Sequence, residues 1–201
     1  MFTGIISHVG RFKAYHLGKR EIALESPHLA SKLKAGESLA VNGVCLSLIK
    51  KEKKILFFNL SDETLSQTNL GTLHNGDKLN LELPLNLSSP LSGHLVTGHV
   101  DTTERVLKII NKRQEKRLTI SISPHLRPYI ISKGSVALNG VSLTIAEASR
   151  SSFSVDLIPI TLESTNLGEL RRSDRLNLEC DIIGKYLYNL MHTKEKEIIK
   201  P

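Results

Sequence analysis

Cys45 and Ser47 lie in the segment Asn42-Gly43-Val44-Cys45-Leu46-Ser47, and Ser142 and Thr144 hold the same places in Asn139-Gly140-Val141-Ser142-Leu143-Thr144. His99, in Thr97-Gly98-His99, is matched in the same way by Ile5 in Thr3-Gly4-Ile5, and the acidic pair Asp62-Glu63 by Pro159-Ile160. An imidazole is half protonated near neutral pH, and thiols and hydroxyls serve as hydrogen-bond partners or weak nucleophiles. Paired positions that differ in this way suit two related pockets that hold the same molecule in unequal surroundings. One bound copy would act as donor and the other as acceptor, which is what a dismutation requires.

The elements that carry these residues occur twice. At a constant offset of 97 positions (139 − 42), Ser26-Pro27-His28-Leu29 repeats as Ser123-Pro124-His125-Leu126, Leu60 to Gly71 matches Leu157 to Gly168, and Leu73 to Glu82 matches Leu170 to Glu179. With the Asn-Gly segments the identities are 4 of 4, 4 of 6, 7 of 12 and 6 of 10, or 21 of 32; average residue usage would give about two or three by chance. The unit is the size of a small domain. Thr3-Gly4 returns as Thr97-Gly98 at an offset of 94 (97 − 3), so a length change of three residues separates the opening strand from the rest.

Within each copy, short apolar runs such as Leu39-Ala40-Val41, Val44 to Ile49 and Ile55 to Leu60 are separated by turn residues, the pattern of antiparallel strands. Leu79, Leu81 and Leu83 alternate with polar residues, which predicts one buried and one wet face, as in the copy Arg175 to Glu179. The two Asn-Gly pairs suit sharp turns with positive φ. One short helix per copy is expected, starting at Ser61-Asp62-Glu63-Thr64 and stopping by Gly71, with Pro159 starting its counterpart. The fold class is therefore all-β: two tandem homologous Greek-key β-barrels and a C-terminal α-helix. Domains are expected at 1–88 and 89–184, with a linker around Leu83 to Gly93 and a helix and charged tail at 185–201. That helix aligns Ile182, Ile183, Tyr186, Leu187, Leu190 and Met191 on one stripe, for docking either on another subunit or on its own barrel.

Composition narrows the function classes. The 201 residues are 40% hydrophobic, enough for a core in each copy. No apolar run reaches the ~18 residues of a membrane span, and Met1 to Ile6 lacks a signal-peptide pattern, so a cytoplasmic protein without membrane contact is expected. Cys45 and Cys180 are matched by Ser142 and Leu83, which rules out a disulfide common to both copies. The net charge of +7 is dispersed over Lys50 to Lys54 and a tail of alternating sign, and 4% aromatic residues with no Trp offer little stacking surface. Nucleic acid is not an expected partner.

Six segments together resemble the riboflavin synthase alpha chain family: Met1-Phe2-Thr3-Gly4-Ile5-Ile6, Val41 to Ser47, Gly93-His94-Leu95-Val96-Thr97-Gly98-His99-Val100-Asp101, Lys133-Gly134-Ser135, Asn139 to Thr144 and Leu157-Ile158-Pro159. The resemblance covers nearly the full length. It implies that two molecules of 6,7-dimethyl-8-ribityllumazine exchange a four-carbon unit, giving riboflavin and 5-amino-6-ribitylaminouracil, with no metal and no cofactor. It also implies a homotrimer joined by the C-terminal helix, the reacting pair lying between the first domain of one subunit and the second domain of a neighbour, and it leaves room for association with lumazine synthase. A non-catalytic relative of the lumazine protein type is the alternative.

On this resemblance His99 is the first choice for proton transfer. Ser142 is expected to hydrogen-bond with it or engage the acceptor's C7, and Cys45 is a polarisable contact or weak nucleophile in the other pocket. Substrate contacts fall to Gly4, Ile5 and Ile6; Cys45, Leu46 and Ser47; Asn59, Leu60, Ser61, Asp62, Glu63 and Thr64; and Gly98, His99 and Val100. In the second copy they fall to Lys133, Ser142, Leu143, Thr144, Asp156, Leu157, Ile158, Pro159, Ile160 and Thr161. Lys133 would supply positive charge, and Thr64 and Thr161 would bond the ring edge or cap their helices. The chain departs from the family pattern at Ser47, where Thr is usual, at Ser92, at Asn139 and at Ile160, where His or Glu is usual.

Overall fold

The computed structural model describes residues 1–86, 88 and 90–198, residues 193–198 through their backbone alone. Leu87 and Ser89 of the expected linker, the charged side chains over 194–197 and residues 199–201 lie outside the described residues.

Two closed six-stranded barrels follow one another. The first comprises β1 (His8–His16), β2 (Glu21–Glu25), β3 (Ser38–Val41), β4 (Val44–Glu52), β5 (Ile55–Asn59) and β6 (Lys78–Glu82), in the closed order β1-β2-β5-β4-β3-β6. The second repeats that order with β7 (Thr102–Lys112), β8 (Glu115–Ser121), β9 (Ser135–Leu138), β10 (Val141–Ala148), β11 (Ser152–Leu157) and β12 (Arg175–Cys180). All pairings are antiparallel. Register shifts fall at matching places, Phe12/Ala14 with Val106/Lys108 and Leu48/Lys50 with Ile145/Glu147. Such bulges bend a strand and increase its twist, which a barrel of six strands needs in order to close. The β7–β8 hairpin has longer strands than β1–β2, which absorbs the change in offset between the copies.

Each barrel has its own core: Phe12, Ile22, Leu24, Leu56 and Phe58 in the first, and Leu118, Ile120, Phe153, Val155 and Leu157 in the second, with no more than 2% of any side chain exposed. Burial of each such side chain stabilises the fold by about 1.5–3 kcal/mol. The expected site helices are α2 (Asp62–Gln67), capped by Ser61 Oγ accepting from Thr64 N at 3.0 Å, and α3 (Pro159–Ser164), with proline in its first turn. Gly71 does not end α2 in a left-handed cap. It sits in a following 3-10 turn, Asn69–Thr72, where an added Cβ would meet Leu65 O at 2.6 Å. Short helical turns at α1 (Pro27–Lys32) and at Pro124–Tyr129, over the repeated Ser-Pro-His-Leu, were not expected from the sequence.

The barrels meet on a pseudo-twofold axis. Asn42-Gly43 and Asn139-Gly140 form the two-residue turns of β3–β4 and β9–β10, all four residues at positive φ. They stand back to back, so that a Cβ on either glycine would lie 2.7 Å from the other's nitrogen. Around them six asparagines bond reciprocally. Asn80 Nδ2 donates to Asn139 O at 3.0 Å and Asn177 Nδ2 to Asn42 O at 2.8 Å, while Asn166 N and Asn69 N donate to Asn80 Oδ1 and Asn177 Oδ1, both at 2.7 Å. The polar face of β6 and β12 is therefore not wet. Asn80, Glu82, Asn177 and Glu179 are 0–5% exposed, the asparagines bonded to the opposite barrel's turn and the glutamates to the Thr3–Gly4 and Thr97–Gly98 segments.

Helix α4 (Ile182–Ile198) leaves the second barrel at Lys185, whose Nζ lies 2.6 Å from Asp101 Oδ1, and Tyr188 packs edge-on against Tyr129. The expected stripe does not pack on its own barrel. Ile183, Tyr186, Leu187, Leu190 and Met191 are 56–71% exposed.

Candidate functional site

The chain crosses between barrels before it reaches either pocket. Gly4 and Ile6, at the chain start, lie against the second barrel: Gly4 O accepts from Ser142 N at 2.8 Å and Ile6 packs on the second core. Gly98 and Val100 lie against the first, where Gly98 O accepts from Cys45 N at 2.9 Å and Val100 packs on the first core. His99 follows Gly98 and its ring is exposed, so it stands beside Cys45 on the first barrel. Within one chain His99 and Ser142 thus stand on different barrels.

Ser142 has a different histidine. Its Oγ lies 2.7 Å from Nδ1 of His94, a residue 9% exposed to which the sequence alone assigns no role. Gly93 makes the approach possible, since a Cβ there would lie 2.1 Å from Thr3 O and 2.9 Å from Ser142 Cβ. Burial lowers the His94 pKa below its usual range, against the opposing pull of the Asp181 and Glu179 carboxylates. A neutral ring at pH 7 can accept a proton from the Ser142 hydroxyl. Among the described residues the buried Nε2 has no hydrogen-bond partner.

A cavity of about 330 Å³ opens beside Ser142, lined by Lys133, Ser142, Leu143, Thr144, Ala146, Asp156, Ile158 and Thr161. Its size is at the lower end of the ~300–1,000 Å³ usual for small-molecule sites. Seven of these eight were expected from the sequence, and only Ala146 was not. Asp156 is held as a carboxylate, its pKa lowered chiefly by the hydrogen bonds of Arg117, whose Nε and Nη2 donate at 2.7 and 2.6 Å, with Lys112 and Lys133 adding to the effect. Lys133 adopts φ 67, a left-handed conformation that costs a non-glycine residue about 1–2 kcal/mol. Its counterpart at the offset of 97 is Gly36, at φ 89. The second copy carries strain where the first has none, and the gain is a cationic side chain at the cavity.

In the first barrel, Cys45 is half-buried and Ser47, Asn59, Ser61, Asp62 and Glu63 are exposed. Asp62 pairs with Arg20 at 3.0 Å, and Thr64 Oγ1 lies 2.9 Å from Ser61 Oγ, within the helix cap. Leu46, Leu60 and Leu157 turn their side chains into the cores, leaving only their main chain for a ligand. Ile158 and Ile160 are 50% and 62% exposed, with Pro159 between them at the start of α3. Ile5 does not line the Ser142 cavity. It borders a separate space of about 350 Å³ with Glu82, Leu83 to Asn86, Pro90 and Ser92. Cys180 is buried, its thiol pushed up to about 12 by desolvation, and Cys45 is likewise free.

A family model described as the lumazine binding domain matches twice, over residues 3–84 and 97–181. The chain is 35% identical to riboflavin synthase of Actinobacillus pleuropneumoniae over 196 residues, covering 96% of this chain and 91% of that protein. It is 37% identical to riboflavin synthase of Escherichia coli (strain K12) over 187 residues, covering 90% and 87%. In fold it is similar to the crystal structure of LumP complexed with riboflavin, with a TM-score of 0.83 at 24% identity, covering 90% of this chain and 99% of that one.

Proposed function

The chain belongs to the riboflavin synthase family, and from that premise we propose that it converts two molecules of 6,7-dimethyl-8-ribityllumazine into riboflavin and 5-amino-6-ribitylaminouracil. The observation that carries this reading is one duplicated frame with unlike residues at matching places, Cys45 donating its N–H to Gly98 O on the first barrel and Ser142 paired with His94 beside a cavity on the second. The C7 methyl of the substrate is acidic because its anion is delocalised over the ring system, so a modest base suffices. Orienting two such molecules can lower the barrier by ~7–11 kcal/mol, against ~3–5 kcal/mol for one general acid or base.

In this reading Lys133 and the Arg117–Asp156 pair bind the second molecule's polar edge, and Ser142, activated by His94, engages its C7. His99 moves the proton of the first molecule, with Cys45 as a polarisable neighbour. The functional units are residues 1–88, 89–184 and the helix with its tail, 185–201. A homotrimer formed through the bare face of α4 would bring the first barrel of one subunit to the second barrel of another, which the 56–71% exposure of five large apolar side chains supports. A cytoplasmic location is in keeping with this: among the described residues no helix is long and apolar enough to cross a membrane. The test is purified protein mixed with 6,7-dimethyl-8-ribityllumazine alone and followed by absorbance. Riboflavin appears at half a mole per mole of lumazine consumed; binding without conversion assigns the chain to the non-catalytic class.

A further inference from the structure

Two buried carboxylates at the ends of matching strands have no part in the reaction above, yet each grips a segment that reaches across to the other barrel's pocket. Glu179 in β12 is 3% exposed. Its Oε1 accepts from Thr97 N and Thr97 Oγ1, both at 2.7 Å, and its Oε2 accepts from Gly98 N at 3.1 Å. The same threonine hydroxyl accepts from His99 N at 3.3 Å. Glu82 in β6 repeats the arrangement, with Thr3 N, Thr3 Oγ1 and Gly4 N at 2.6, 2.7 and 3.0 Å, and Thr3 Oγ1 accepting from Ile5 N at 3.1 Å.

The gripped segments then cross the pseudo-twofold. Gly98, held by the second barrel's Glu179, presents its carbonyl to Cys45 N of the first barrel, and Gly4, held by the first barrel's Glu82, presents its carbonyl to Ser142 N of the second. We propose that Glu179 and Glu82 are positioning residues acting across the barrel interface. Glu179, through Thr97, fixes the backbone of His99 at the first pocket, and Glu82, through Thr3, fixes Gly4 against Ser142 at the second. A carboxylate suits this task because its two oxygens accept three donors at once, whereas an amide replaces one acceptor with a donor facing an N–H. The Thr hydroxyl, donating to the carboxylate, is left with its lone pairs aimed at the residue two positions on. Each barrel thereby sets the reacting geometry of the pocket on the other, and the two half-sites of one chain are built as a unit.

This inference rests on the proposed reaction, and its test starts from wild-type protein that forms riboflavin; a wild type that does not would refute the reaction itself. Glu179→Gln lowers kcat about tenfold or more, with KM changed less than about threefold, since displacement of a reacting group by about an ångström costs up to ~10²-fold. Thr97→Val, which keeps the carboxylate but cuts the link to His99, lowers kcat in the same way, and Thr97→Ser restores it. The decisive readout is a double-mutant cycle. Glu179→Gln costs little further in a His99→Ala background, because it acts through His99, whereas Glu82→Gln multiplies with His99→Ala. Full multiplication of Glu179→Gln with His99→Ala, or wild-type kcat in folded Glu179→Gln, overturns the proposal. Should Glu179→Gln fail to fold, the Thr97→Val cycle with His99→Ala decides by the same criterion.

Discussion

Replacing Lys133 by glycine separates the cost of the strained backbone from the use of the side chain. At φ 67 a lysine pays about 1–2 kcal/mol that glycine does not. Glycine loses about 0.4–1 kcal/mol through the greater freedom of its unfolded chain. The variant is therefore expected to be as stable as the wild type or up to about 1.5 kcal/mol more stable, and Gly36 shows that the turn accepts glycine at φ 89. Its catalytic effect has the opposite sign. A hydrogen bond from a charged donor contributes about 1.5–3 kcal/mol, or about 10- to 150-fold, and because Lys133 is exposed its contribution is screened toward the lower end. KM should rise about tenfold with kcat little changed, because the ammonium binds the substrate's polar edge before and during reaction alike. Chemical unfolding and steady-state riboflavin formation measure the two quantities. Lys133→Asn, which tolerates the left-handed conformation, serves as a second uncharged control. A Lys133→Gly protein that is less stable than wild type, or whose KM stays within twofold, refutes the reasoning.

Three further outcomes follow from the geometry. Ser142→Ala and His94→Gln each lower kcat by about 10²-fold or more, and the double variant falls no further than the worse single, because the two act as one unit; losses that multiply would show that the 2.7 Å contact has no catalytic use. The His94 pKa is lowered by folding, so the unfolded chain binds a proton where the folded chain does not. Its contribution to stability is present above pH 6.5 and lost as pH falls below that value toward the lowered one. Relative to His94→Gln, the wild type should lose at most about 1.4 kcal/mol between pH 7.5 and 5.5, and equal pH slopes of unfolding free energy would contradict this. Leu190→Glu on the bare face of α4 is expected to yield monomers with little activity by light scattering and turnover, and an active monomer would remove the shared-site arrangement.

The sequence exposed what is local. The Asn-Gly turns, the proline that opens α3 and the acidic first turn of α2 are set by a few adjacent residues, and they stand where expected. Seven of the eight residues lining the second pocket were legible through the family resemblance of the segments around Lys133, Ser142 and Ile158. What depends on the second barrel was not legible. The alternation Leu79-Asn80-Leu81-Glu82 predicts water on the polar face, since periodicity cannot tell a solvent from a polar interface, and the asparagine network fills that face instead. The crossing of Thr3 to Ile6 and Thr97 to Val100 between barrels leaves no mark in spacing, so the side of the molecule on which His99 stands is not legible in the sequence. His94 gives no signal in the sequence because its contact with Ser142 spans 48 positions, which no local pattern reports.

Two unequal pockets in each chain, both filled during turnover, are the core of this account, and ligand stoichiometry reaches that claim without relying on any rate. Calorimetric titration with an unreactive ribityllumazine lacking the C7 methyl should find two molecules bound per chain with distinct affinities, the Lys133→Gly substitution weakening one and sparing the other. One molecule per chain at saturation, or two equivalent sites both weakened by that single substitution, would contradict it.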